Sequence, residues 1–158
     1  IGWCDWSSDV CSSDLLQIQR YRNRISGPLL DRIDIHVEVP AVNYDELSSA
    51  QKGEASSEIR KRVIKARRVQ QERFKGSRKV HCNAAMRAKD VAKYCELEDD
   101  AKQLLKMAIT DLNFSARAYD RILKVARTIA DLDESETIRN AHVSEAIQYR
   151  SLDRQYWT

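Results

Sequence analysis

A chain of 158 residues is long enough for one domain with its own core, and 32% charged side chains with only four Gly and two Pro read as soluble and mostly helical, not turn-rich and all-β. No apolar run approaches a bilayer span and no basic-then-apolar leader is present, so no membrane association is expected and the expected location is the cytoplasm. The formal net charge of +3 is too small to identify a partner by itself.

Residues 1–15 (Ile-Gly-Trp-Cys-Asp-Trp-Ser-Ser-Asp-Val-Cys-Ser-Ser-Asp-Leu) have neither a helical nor a strand period. From Asp5 to Leu15 the string resembles the translation of a short-read sequencing adapter, and the four residues before it fit an index read in the same frame. The expectation is an artefactual, disordered leader that lies outside the fold. Setting it aside removes three Asp, leaving 21 acidic against 27 basic residues and a formal charge of +6. Cys4 and Cys11 leave with it. Cys82 and Cys95, with no CxxC and no paired His, read as reduced structural thiols.

Residues 16–26 read as a helix end, stopped by Gly27-Pro28. Ile33, Ile35, Val37 and Val39 then alternate with Asp34, His36 and Glu38, a period-two strand closed by Pro40. One strand cannot stand alone, so its sheet partners are expected upstream of this chain. A polar linker over 41–55 precedes a helix from Ser56-Ser57 to about Lys75, with Ile59, Val63, Ala66 and Val69 on its inner face and Gly76 at its end. A second helix is expected from an Asn83 cap through Tyr94. A third opens at Glu98 or Asp99 and carries Leu104, Leu105, Ala108 and Ile109. Ser115 caps a fourth, striped by Tyr119, Ile122, Leu123, Ala126, Ile129 and Ala130. Asn140 caps a fifth, with Val143, Ala146 and Ile147 inward. Tyr94 and Tyr119 read as core aromatics with a polar tip.

Three blocks carry a resemblance. The string Tyr21-Arg22-Asn23-Arg24-Ile25-Ser26-Gly27-Pro28-Leu29-Leu30-Asp31-Arg32-Ile33-Asp34 resembles the end of the AAA+ core in the YifB/ComM group of magnesium-chelatase-like ATPases. Phe114 to Leu132 resembles that group's lid helix, and Glu145 to Arg154 resembles its ending, with consistent spacing over Leu16 to Trp157. The resemblance implies a mainly α chain: the last strand and adjoining segment of an AAA+ α/β core, followed by a lid bundle of about five helices. The implied divisions are a leader at 1–15, the end of the AAA+ core at 16–40, a linker at 41–55 and the helical, magnesium-chelatase-like C-terminal domain at 56–158.

It also implies roles for two arginines. Arg32 matches the arginine finger, which reaches the nucleotide of the neighbouring subunit and offsets charge on the transferred phosphoryl group, an effect of roughly a thousandfold or more in rate. Arg117 matches the sensor-2 arginine, which reads the phosphates of ATP bound in its own subunit. From the residues alone, a helix N-terminus beside a guanidinium suits phosphate. The competing readings are local surface ion pairs, Arg32 with Asp31 or Asp34 and Arg117 with Asp111 or Asp120.

No glycine in these 158 residues is followed by Lys, so the phosphate-cradling Gly-Lys-Ser/Thr loop is not within them, nor is an acidic pair ending an apolar strand for Mg²⁺. ATP and Mg²⁺ are therefore expected of the full-length parent, an ATP hydrolase, and neither binding nor turnover is expected of this piece alone. The densest positive charge runs from Arg60 to Lys79 with Glu72 as its one acid. Arg60, Arg67 and Arg68 are candidate phosphate contacts to nucleic acid, against the alternative of a solvated helix face. His36, His81 and His142 match no ligand spacing, and no metal site is expected. The leading functional expectation is part of a hexameric, homo-oligomeric AAA+ motor that couples ATP hydrolysis to DNA remodelling or translocation, of the branch-migration or helicase-like, competence-related kind. The alternatives are the ATPase subunit of magnesium chelatase, which inserts metal into a porphyrin, and a non-enzymatic helical DNA-binding module.

Overall fold

The computed structural model describes residues 53–112 and 114–150, together with Arg20, Leu29, residues 32–37 and Val39. The leader at 1–15, most of 16–31 and of the linker, and residues 151–158 lie outside the described residues. Among those described there are five α-helices: α1 (Ser56–Arg73), α2 (Ala88–Tyr94), α3 (Asp99–Leu112), α4 (Ala116–Leu132) and α5 (Asn140–Gln148), with a 3₁₀ turn at Asn83–Ala85 before α2. The chain is mainly helical, as a lid bundle requires.

Local chemistry sets the helix ends. Gly76 has φ of 87°, a left-handed conformation that glycine adopts without steric cost, and it turns the chain away just past α1. The amide of Arg87 donates to the Asp90 carboxylate (3.0 Å) at the start of α2, and Asp99 and Asp100 complement the N-terminal dipole of α3. Ser115 Oγ accepts from the Ala118 amide at 3.1 Å and caps α4. At the other end of α4, Glu134 takes a positive φ of 55° while the Ser135 amide bonds to the Ala130 carbonyl (2.8 Å), the six-to-one closure of a left-handed helix cap. The amide of Arg139 donates to His142 Nδ1 (3.1 Å) as α5 begins.

Helix α4 is the axis of the bundle. Ala118, Ile122, Leu123, Val125, Ala126 and Ala130 are all buried along it, and α1, α2, the 3₁₀ turn and α5 pack around it, with α3 against α5. Leu105 from α3, Val143 and Ala146 from α5, and Val80, Met86 and Ile138 from connections complete the core. Each fully buried aliphatic side chain of this size contributes about 1.5–3 kcal/mol. A parallel bridge, Leu97 with Ile138, ties the loop before α3 to the loop before α5. Phe74 and Tyr94 meet edge to face, with ring centres 5.4 Å apart.

Four expectations meet a different arrangement. Ile59, Val63 and Val69 of α1 are exposed, and the helix instead buries Ala66 and Gln70, with Phe74 just beyond its end. Its N-terminal half therefore projects past the bundle, where correct periodicity has no surface to meet. Asn83 does not cap an α-helix; it opens the 3₁₀ turn and its side chain is buried. Tyr119 is exposed, at the edge of a depression it lines with Leu97, Leu105 and Ile109.

The fourth concerns residues 33–39. No strand pairing involves the described ones, since a ladder needs a neighbouring strand and none is described beside them. The alternation persists with its sense reversed relative to the helices: Ile33, Ile35, Val37 and Val39 are exposed while His36 is buried. The His36 amide donates to the Tyr149 carbonyl (2.8 Å), Arg121 pairs with Asp34, and the guanidinium of Arg150 donates to the Ile33 carbonyl.

Candidate functional site

Arg117 stands in the first turn of α4, held there by the Ser115 cap, and its side chain is exposed. Among the described residues it forms no ion pair, neither with Asp111 nor with Asp120, so the local pairing that competed with a functional role is not formed. A cation at this end of a helix gains nothing from the macrodipole, and a bound anion would be favoured by both. Arg32 is exposed in a turn whose amide donates to the Leu29 carbonyl (3.0 Å). The neighbouring Asp34 is committed elsewhere, to Arg121 on α4. The turn that carries Arg32 is thus joined to the helix that carries Arg117.

Seven basic residues lie on α1, and the structure separates them. Lys61 pairs with Glu58 (2.7 Å), Arg62 with Glu54 (2.6 Å), Lys65 with Glu134 (2.9 Å) and Arg73 with Asp131. Arg60, Arg67 and Arg68 are exposed and, among the described residues, without an ion pair. At 100° per residue, Arg60 and Arg67 share one side of α1, flanking the buried Gln70, and Arg68 lies a further quarter-turn round, opposite Ala66 and Gln70.

One cluster escaped sequence reasoning. Asp131, with its side chain wholly buried, accepts from Arg73 Nη1 (2.7 Å), Arg127 Nε (3.0 Å) and Asn83 Nδ2 (2.8 Å). Asn83 also donates to Thr128 Oγ1 (3.1 Å) and receives Arg73 (2.9 Å), while its amide donates to Gln70 Oε1 (3.2 Å). Arg127 closes the set by donating to the carbonyls of Ser135 (2.6 Å) and Glu136 (2.7 Å). Burial by itself would raise the Asp131 carboxyl, but hydrogen bonds from Arg73 and Asn83 and the two guanidinium charges outweigh it and hold the carboxyl below its ordinary range. None of the cluster's fully buried side-chain nitrogens and oxygens is left without a partner, as befits a structural clamp joining α1 to α4. The i,i+4 spacing of Arg127 and Asp131 was the only signal in the sequence, and it reads equally well as a surface pair.

Cys95 and His142 are two further buried titratable groups. Burial pushes the Cys95 thiol up to about 11, against the pull of Arg127 and Arg73. His142 is buried, with Nε2 3.2 Å from the Asp133 carboxylate. No group of three His, Cys, Asp or Glu side chains that could hold a metal ion is found among the described residues. No described helix is long and apolar enough to cross a membrane.

Comparison with known proteins agrees with this arrangement. The model of the magnesium chelatase subunit ChlI C-terminal domain matches residues 53–150, and that of magnesium chelatase subunit ChlI matches residues 1–47, a span that takes in the expected leader. The chain is 42% identical over 139 residues to the competence protein ComM of Haemophilus influenzae, covering 87% of this chain and 26% of that protein. It is 41% identical over 139 residues to YifB of Escherichia coli, with the same coverage, and 30% identical over 132 residues to Mb2921c of Mycobacterium bovis, covering 84% of this chain and 26% of that one. The chain therefore spans about a quarter of the length of these relatives. Because the C-terminal model alone matches more than half of the chain, this protein belongs to the magnesium chelatase ChlI family, as a YifB/ComM-like C-terminal part.

Proposed function

We propose that this chain forms the lid and the finger-bearing end of the core in an AAA+ ATPase that couples ATP hydrolysis to DNA remodelling or translocation. The observation that carries the reading is Arg117, whose exposed guanidinium in the first turn of a capped helix forms no ion pair among the described residues. In this reading Arg117 contacts the phosphates of Mg²⁺-ATP bound in its own subunit, and Arg32 crosses a subunit interface of a homo-hexameric ring to the neighbour's nucleotide. The name of the Haemophilus influenzae relative, a competence protein, supports DNA as the object of the work. Arg60, Arg67 and Arg68 are the candidate DNA contacts on α1.

In the full-length protein that carries this sequence, Arg32→Ala should abolish hydrolysis while nucleotide binding survives, because a finger acts on charge that develops in the transition state. Arg117→Ala should weaken nucleotide binding as well. Unchanged hydrolysis in both variants would overturn the assignment.

A second reading rests on the family's own description: the ATPase subunit of a magnesium chelatase, acting on a porphyrin. Stimulation of ATP hydrolysis by DNA separates the two, since a metal-insertion motor has no reason to respond to it. A third, a DNA-binding module without catalysis, requires DNA binding by a full-length protein that hydrolyses no ATP.

A further inference from the structure

The sequence places its basic run on α1 and the turn after it, from Arg60 to Lys79, and the structure adds a second source of charge to the far end of that run. After Gly76 the chain turns through Ser77–Lys79, and beyond the 3₁₀ turn it comes back to start α2. The two segments face each other across a cleft of about 370 Å³ lined by Arg78 and Lys79 on one side and Arg87 and Lys89 on the other. All four cations are exposed, and among the described residues none of them forms an ion pair. The single acid in the lining, Asp90, accepts the Arg87 amide at 3.0 Å.

Both walls are anchored. Lys79 directly precedes Val80 and Arg87 directly follows Met86, and both apolar side chains are buried in the core. The Val80 amide also donates to Ser77 Oγ (3.1 Å), which closes the turn. The backbone under the charges is therefore set before any ligand arrives, and only side-chain tips need to be ordered on binding.

The depression beside α1 differs in kind. It is lined by four cations and three acids, and Lys65, Arg73 and Arg127 there are already paired with Glu134 or Asp131, which leaves Arg68 and the acid Glu136 without an ion pair among the described residues. Uncompensated positive charge is thus concentrated at the corner between α1 and α2.

We infer that the cleft between the Ser77–Lys79 turn and the start of α2 binds backbone phosphates of nucleic acid, with Arg78, Lys79, Arg87 and Lys89 as its contacts. The inference rests on the proposal that this protein acts on DNA and gives that action a place on the lid. Arginine on each wall suits paired phosphate oxygens, and the adjacent lysines supply point charges on flexible stems.

The test uses a fluorescently labelled oligonucleotide, in single-stranded and duplex form, titrated with the 158-residue chain over a series of salt concentrations. The comparison set is wild type, Arg78→Gln/Lys79→Gln/Arg87→Gln/Lys89→Gln, the fully basic variant Lys79→Arg/Lys89→Arg, and Arg60→Gln/Arg67→Gln/Arg68→Gln. Loss of four phosphate contacts should lower the salt slope by about 3.5 on duplex and about 3 on single strands, with the basic variant close to wild type. All four side chains are exposed, so helicity by circular dichroism should be unchanged in each protein. If the cleft variant keeps the wild-type slope while the α1 variant loses it, the cleft assignment falls and the DNA reading stands. If wild type binds neither oligonucleotide, both fall. If inorganic pyrophosphate shifts the amide resonances of Ser77–Lys79 but oligonucleotides do not, the cleft holds free phosphate and the nucleic-acid assignment is overturned.

Discussion

Arg73 at the end of α1 and Asp131 near the end of α4 stand 58 residues apart in sequence and meet side chain to side chain, with Nη1 of the arginine 2.7 Å from Oδ2 of the aspartate. Arg127 and Asn83 converge on the same carboxylate, so that one buried anion holds two guanidiniums and an amide. Replacing Asp131 by Ala would leave both guanidiniums in the interior without their counter-charge. The expected loss is about 3–5 kcal/mol in urea denaturation. A loss below about 1 kcal/mol would mean that water reaches the clamp.

The same carboxylate predicts an acid limb in the stability profile. Its folded-state proton affinity is depressed, so its contribution is complete above the ordinary carboxylate range, about pH 4, and is lost as pH falls through the lower folded value. Stability should decline on acidification below about pH 4, and Asp131→Asn should flatten that decline relative to wild type. An identical acid limb in both proteins would assign it to other carboxylates.

Two of the side-chain interactions that dock the segment at 33–37 on the bundle should differ in weight. Arg121 and Asp34 are both partly exposed, so Arg121→Ala is expected to cost under about 1 kcal/mol. The side chain of Arg150 is buried where its guanidinium meets the Ile33 carbonyl. Arg150→Ala should therefore speed hydrogen exchange at the His36 amide at least tenfold, through loss of its bond to the Tyr149 carbonyl. Equal exchange in the two variants would show that the segment docks without Arg150.

Cysteine labelling should separate Cys82 from Cys95. Cys95 is buried and its thiol is pushed up to about 11, so little thiolate forms there at pH 8, whereas Cys82 is half-buried. Brief alkylation of the native chain followed by peptide mapping should modify Cys82 first. Early modification of Cys95 would mean that the corner between α2 and α3 opens readily.

Mixing subunits of the full-length protein tests the proposed geometry of the two arginines. Arg32→Ala subunits combined with subunits carrying a disabled ATP-binding loop should regain activity, because some interfaces then pair an intact site with an intact finger. Arg117→Ala subunits in the same mixture should not, since every site then carries a defect within one chain. Rescue of Arg117→Ala without rescue of Arg32→Ala would reverse the cis and trans assignments.

Much of this protein was legible before any tertiary structure. Periodicity marked all five helices, Ser115 and Gly76 marked ends of α4 and α1, and the stripe of α4 from Ile122 to Ala130 marked the axis of the core. Those features depend on neighbours a few residues apart, and short-range chemistry is written directly in the order of side chains. Spatial coincidences needed the fold. Ile59 and Val63 have the spacing of a buried face, yet only the placement of α1 leaves them beyond the bundle. Asn83 has the chemistry of a helix cap, yet the approach of Asp131 and Thr128 turns it inward. Of seven cations on α1, the sequence could nominate Arg60, Arg67 and Arg68, but that these three lack an ion pair among the described residues depended on Glu54, Glu58, Glu134 and Asp131 reaching the other four. Likewise Arg78 and Arg87 are simply nine positions apart along the chain, and the turn at Gly76 together with the burial of Val80 and Met86 puts them on opposite walls of one cleft. Helix propensity and patterning act locally, whereas ion pairing and clefts depend on which distant segments the core brings together.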